Sequence, residues 1–289
     1  MKKEIIIIGG GIVGSTAAFY LSRYAECNIT LIDSGQGNAT RAAAGIICPW
    51  LSQRRNKDWY RLTAQGANFY LQLMEDLKQA GVDELPYRQT GTLVFKNQPH
   101  LLEKLYRLAL ERRREAKMIG ELTIYEKNNL GQLIPELETD QGAVLTSGGG
   151  RLDGAALLDI LQKLFVQKGG TIIHGHASLG KHQTIQVNEQ ELTYDQLILA
   201  SGAWLPQILE PLGYKVDIKP QKGQLLEVET DFSSGKWPGC MLHGEIDILP
   251  FDQGRLAIGA RHPTDKGYDL TVDSQLLEAM KDTAPQFLP

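Results

Sequence analysis

The chain opens on an unbroken apolar run at residues 5–8, four isoleucines set between Glu4 and three glycines. β-Branched residues with no polar alternation mark a strand buried on both faces, the habit of a parallel sheet. Beyond the glycines, Val13, Ala17, Ala18 and Leu21 recur at helical spacing and predict a helix over 12–24. A second apolar stretch over 28–32 ends in Asp33, so the opening segment reads as one βαβ unit. Residues 35–45 are small and flexible, and helical spacing resumes over 58–78 with Gly81 as its stop. Residues 87–95 alternate as a strand does. Residues 101–118 predict a long helix whose ERRREAK run is a solvated face with i,i+4 pairing. A helix over 155–167, a strand over 171–173, a hairpin over 184–193 and a buried strand over 196–199 follow, the last stopping at Ala200-Ser201-Gly202. From 214 to 260 the pattern is extended, in QLLEVET, IDILPF and RLAIGA, and a short helix is expected over 274–281.

Strands alternating with helices, then a β-rich stretch, predict an α/β protein: a Rossmann-like nucleotide-binding domain with a parallel sheet, interleaved with a mixed α+β domain. The expected division is 1–50 with 150–205 on the nucleotide side, 51–149 with 206–275 on the substrate side, and 276–289 beginning a return segment. A length of 289 residues suits two domains better than one core. Thirty basic against 34 acidic side chains give a net charge of −4, without the basic footprint of a nucleic-acid partner. No stretch approaches the ~20 apolar residues of a membrane span, and the apolar part of MKKEIIIIGGG is too short for a secretory leader. Cys27, Cys48 and Cys240 are odd in number and far apart. They form neither a disulfide framework nor a metal site, and they fit a reducing, cytoplasmic setting.

Gly9-Gly10-Gly11-Ile12-Val13-Gly14 matches G-x-G-x-x-G, between the first strand and the first helix. Gly9 permits the tight turn, Gly11 lets a diphosphate approach bare backbone, and Gly14 lets the helix lie close to the sheet. The helix start offers free N–H groups and the positive end of its dipole to phosphates. Asp33, at the end of the second strand, can accept hydrogen bonds from a ribose and would repel a 2′-phosphate. These residues suit a nicotinamide or a flavin dinucleotide equally.

The next segment, residues 34–46 with its ATRAAAGI, resembles the D-amino-acid oxidase and glycine oxidase superfamily of flavoproteins. RLDGAALLDIL, LILASGAWLPQIL, the KGQ at 222–224 and GRLAIGARHPTD are similar to further pieces of that family's pattern. The resemblance implies FAD, with Gly9, Gly11, Ile12, Val13 and Gly14 at the pyrophosphate and Asp33 with Ser34 at the adenosine ribose. It implies that Ala39, Thr40, Arg41, Ala43, Ala44, Gly45 and Ile46 run beside the flavin and phosphates. It also implies an adenine contact at Ala177 and a return to the cofactor at Ala200, Ser201 and Gly202. From composition alone, ATRAAAG would start a plain helix, alanine being the best helix former. The implied reaction is oxidation of an amino acid or related amine by hydride transfer to the flavin. The resulting imine is hydrolysed, and oxygen is a candidate acceptor for the reduced flavin.

The sequence departs from the family in two places. Related oxidases carry a substrate-facing tyrosine just ahead of the strand matched by Ile248-Leu249-Pro250, where this chain has Asp247. An aspartate there attracts an amine and repels a carboxylate. The family also continues past the position of Pro289, with the arginine that clamps a substrate carboxylate and a final flavin-facing helix, so the chain reads as lacking its C-terminal segment. Arg54 or Arg55 beyond the flavin loop, or Arg261, could stand in for that arginine, since a guanidinium fork suits a carboxylate. His243 and His262 are further pocket candidates. The alternatives are an NAD-dependent dehydrogenase and a non-catalytic remnant that binds part of the nucleotide.

Overall fold

The computed structural model describes residues 2–180, 183–242, 247–261 and 267–288, without the side chains of 260, 261 and 286. The described residues of Met1–Ala43, Gly154–Lys222 and His262–Thr271 form one compact unit, and those of Ala44–Asp153, Gly223–Arg261 and Val272–Pro289 form a second. Residues 44–50 and 150–153 therefore group with the second unit, and 206–222 and the described 267–271 with the first, opposite to expectation. Pairing explains the one: Ile46–Ile47 and Gly150–Leu152 are antiparallel neighbours. Packing explains the other, because Ile208 joins the apolar cluster beside the first unit's sheet.

The first unit is built on a parallel sheet whose order is Gln196–Leu199, β1 (Lys3–Ile8), β2 (Cys27–Asp33), Thr171–His174. Successive side chains of a strand alternate between faces. Ile5 and Ile7 pack with Ile29, Leu31, Ala18 of helix α1 (Ile12–Leu21) and Phe165. Ile6 and Ile8 pack with Ile32, Ile185 and Val187. The last two belong to an antiparallel meander of Ser178–Leu179, Thr184–Val187 and Gln190–Thr193. The sheet is thus covered by helices on one face and by a small sheet on the other, which is why all four isoleucines are buried. Each fully buried side chain of that size contributes roughly 1.5–3 kcal/mol.

In the second unit, helices α2 (Lys57–Gln79) and α3 (Pro99–Arg113) lie over a seven-stranded mixed sheet. Asn56 caps α2 by accepting from the Trp59 N–H at 2.9 Å. The strand expected over 87–95 is two, Tyr87–Arg88 and Thr92–Lys96, broken at Gly91. The helix expected over 101–118 begins earlier, at Pro99, and ends at Arg113. Helix α4 (Gly154–Gln167), in the first unit, spans the predicted segment and carries Phe165. Among the described residues no helix is long and apolar enough to cross a membrane.

Candidate cofactor site

In open parallel sheets ligands bind beyond the carboxyl ends of the strands. The first unit has a cavity of about 390 Å³ there, lined from all four strands. Gly9 to Val13 follow β1, Asp33 and Ser34 end β2, Gly175 to Ala177 follow the Thr171–His174 strand, and Ala200 to Trp204 follow the Gln196–Leu199 strand.

The glycines divide the work. Gly9 has φ +109°, and a Cβ on it would strike the Ala200 carbonyl oxygen. A Cβ on Gly14 would collide with the Gly9 carbonyl oxygen, so this glycine closes α1 against the strand end. A Cβ on Gly10 would come within 2.5 Å of Asp33 Oδ2, which places the carboxylate directly beside the loop. At Gly11 the nearest atom to such a Cβ is Thr40 Oγ1, at 3.6 Å, and the space belongs to the cavity.

Gly11 is also the N-cap of α1, with no side-chain cap of its own and no acid in the first turn. Thr40 Oγ1 accepts from the Ile12 N–H at 3.1 Å and so satisfies one of the helix's leading donors. The remaining leading amides keep the positive end of the helix dipole turned to the cavity, where an anion is favoured. Ser201 Oγ is buried without a hydrogen-bond partner among the described residues, on the cavity wall. Bare amides and hydroxyls at a helix start, with one carboxylate beside them, fit a diphosphate joined to a ribose. These residues could hold the adenosine diphosphate half of a dinucleotide.

Of the residues singled out from the sequence, Gly9, Gly11, Ile12, Val13, Asp33, Ser34, Ala39, Thr40, Ala177, Ala200, Ser201 and Gly202 line this cavity. Gly14 does not, its place being taken up by packing on Gly9. Arg41 turns away to pair with Asp159 at 2.6 Å. Ala43 lies outside the lining, and Ala44, Gly45 and Ile46 belong to the second unit. There the Gly45 carbonyl accepts from the Leu152 N–H at 2.8 Å and Ile46 pairs with Arg151. The alanine-rich segment is a turn rather than a helix start, because the chain leaves it directly for that strand. Lining residues not foreseen include Gln36, Gly37, Asn38, His176, Gln207 and Trp204, the last against Gly37, where a Cβ would meet its ring at 2.7 Å. Trp204 in turn stacks on Tyr268, centroids 4.5 Å apart. Its place in ASGAW was the available signal.

The substrate-side candidates are less gathered. Arg54 and Arg55 are both exposed, the former with its guanidinium 4.8 Å from the centre of the Trp59 ring. Asp247 opens the Asp247–Pro250 strand, paired with Gly259 and Met241. Burial, and then the Asp247 charge, push the Cys240 thiol well above its ordinary range. The backbone of Arg261 pairs with Gln224, while its side chain, His243 and His262 lie outside the described residues. A charged group that escaped notice is Arg151, 3% exposed, which pairs with Asp252 at 3.0 Å and donates to the Pro250 and Gly235 carbonyls. That set of partners anchors strands of the second unit. No cluster of potential metal ligands occurs among the described residues.

The chain is 37% identical over 273 residues to an uncharacterized oxidoreductase, YurR, of Bacillus subtilis (strain 168), covering 92% of this chain and 73% of that protein. It is 25% identical over 304 residues to a glycine oxidase of Pseudomonas putida (strain KT2440), covering 100% of this chain and 79% of the relative. The crystal structure of iminodiacetate oxidase from Chelativorans sp. BNC1 superposes with a TM-score of 0.93 at 29% identity, covering 99% of this chain and 79% of that one. The model of the DAO family, FAD dependent oxidoreductase, matches residues 4–289. With a strand-end cradle suited to a dinucleotide and a family match over nearly its whole length, the chain belongs to the DAO family of FAD-dependent oxidoreductases.

Proposed function

We propose that this FAD-dependent oxidoreductase acts on an amino acid or a related amine. With FAD as the family's cofactor, the nicotinamide alternative falls away. The observation that carries the cofactor half of this reading is the cradle at the end of β1: Gly11 without a Cβ beside an α1 start that no side chain of its own caps. When bound, FAD would supply a two-electron acceptor for the hydride on the carbon bearing the amine, and water would hydrolyse the resulting imine.

This chain's residues would serve that chemistry by holding and orienting. The Gly11 and Val13 amides would meet the diphosphate, and Thr40, while accepting from Ile12, keeps its own O–H to donate to a phosphate oxygen. Asp33 accepts from the ribose hydroxyls, Ser34 stands beside it, and Ser201 Oγ supplies a further polar contact. On this reading the first unit is the FAD-binding domain and the second carries the substrate residues. Asp247 would favour the amine nitrogen, and Arg54, Arg55, Arg261 or His243 would meet a carboxylate. The amine class is supported by the glycine oxidase and iminodiacetate oxidase likenesses. Oxygen is the proposed final acceptor, and the three cysteines suit a reducing, cytoplasmic setting.

The test is direct. Purified protein incubated with FAD and desalted should be yellow and release flavin on boiling. Dye reduction is then measured with glycine, sarcosine, D-alanine, L-proline and iminodiacetate, with lactate as an amine-free control. Protein that takes up no FAD, or that reduces dye with lactate alone, overturns the proposal.

A further inference from the structure

Two side chains behind the glycine loop converge on one backbone atom. Ser15, on α1 and 1% exposed, donates its hydroxyl to the Gly10 carbonyl oxygen at 2.9 Å. Gln162, on α4, donates its amide to the same oxygen at 3.2 Å and to Ser15 Oγ at 3.2 Å. The Gly10–Gly11 peptide is thus held by its carbonyl from the helix side. A trans peptide points its C=O and its N–H in opposite directions. With the carbonyl held at the rear, the Gly11 N–H is aimed away from the helices, and Gly11 lines the cavity.

A peptide between two glycines has no Cβ to oppose its rotation, so its orientation must come from elsewhere. Rotated by half a turn, it would present a carbonyl oxygen to an incoming phosphate and repel it. We infer that Ser15 and Gln162 are positioning residues for the cofactor: they lock the Gly10–Gly11 peptide with its N–H toward the diphosphate. Their hydrogen bonds also polarise the peptide, which strengthens the donor on its other side. Neither residue lines the cavity, so neither is expected to touch the ligand. The inference rests on the dinucleotide reading above, and it adds to the G-x-G-x-x-G motif two residues 147 positions apart in sequence.

The experiment uses the full 289-residue chain with Ser15→Ala and Gln162→Met, the second replacing a half-buried side chain by one of similar length without a donor. FAD binding is measured by quenching of flavin fluorescence, and ADP and adenosine are titrated as competitors. Each variant should bind FAD and ADP about tenfold more weakly and adenosine within about twofold of the unaltered protein, one hydrogen-bond network corresponding to roughly one decade. Equal weakening of ADP and adenosine would mean that the pair only ties α1 to α4, and would overturn the inference. So would unchanged ADP binding in variants of a protein that itself binds FAD. Should the unaltered chain bind neither FAD nor ADP, the dinucleotide reading fails and this inference with it. If Ser15→Ala does not fold, Gln162→Met alone decides.

Discussion

Replacing Gly11 by alanine should separate folding from cofactor binding. Gly11 has φ −72° and ψ −170°, a conformation open to alanine without strain. Its Cβ would sit 3.6 Å from Thr40 Oγ1, an ordinary contact, so the protein alone has no clash to relieve. The fold loses only the preference of glycine over alanine at a helix N-cap, about 0.5–1 kcal/mol, or a few degrees in Tm for a chain of this size. The methyl group, however, enters the cavity beside the amide proposed to meet the diphosphate. Losing one charge-assisted hydrogen bond costs about 1.5–3 kcal/mol. That range corresponds to FAD binding about ten- to a hundredfold weaker. Gly14→Ala is the contrasting control: its Cβ collides with the Gly9 carbonyl oxygen, so α1 must move off the strand end and the apoprotein itself should melt much earlier. Calorimetry of the apoproteins and FAD titration of both variants make the comparison. Unaltered FAD affinity in Gly11→Ala, or an apoprotein as damaged as Gly14→Ala, would refute the reasoning.

Three further outcomes are expected. Asp252→Asn removes the carboxylate paired with the buried Arg151 guanidinium at 3.0 Å, and since Asp252 is itself half-exposed the loss should be about 1–2 kcal/mol, read as a fall of several degrees in Tm. Trp204 lines the cavity, so its emission should be quenched when FAD or ADP binds, and Trp204→Phe should remove most of the ADP-induced change in intrinsic fluorescence. Burial pushes the Cys48 thiol up from 9.0 to about 12. Between those values the unfolded chain releases the proton and the folded one keeps it, so stability is whole below pH 9 and falls as pH rises toward 12. Urea midpoints measured across that window should decline less steeply in Cys48→Ala, and an identical slope would count against a buried neutral thiol.

What could be read in the amino-acid sequence was what is local. The β1–α1–β2 unit is contiguous, its isoleucines declare a two-sided burial that packing on Phe165 and on Ile185 then provides, and Gly14 answers to the Gly9 carbonyl of the same loop while Gly10 answers to the Asp33 side chain at the end of the next strand. Asp33 was legible for the same reason, since it ends the strand that neighbours β1. Where composition and pairing pull apart, distant pairing wins: alanine by itself favours a helix at 39–44, but residues 46–47 are drawn into a sheet by Gly150 and Arg151. His176 and Trp204 lie far along the chain from the glycine loop, and only the order of the parallel strands, set by hydrogen bonds between segments more than a hundred residues apart, brings them to the same cavity. Gln162, equally distant in sequence, reaches the loop from α4. A motif can announce that a phosphate will meet bare amides; which side chains hold those amides in place is decided by the helices that the tertiary fold lays behind them.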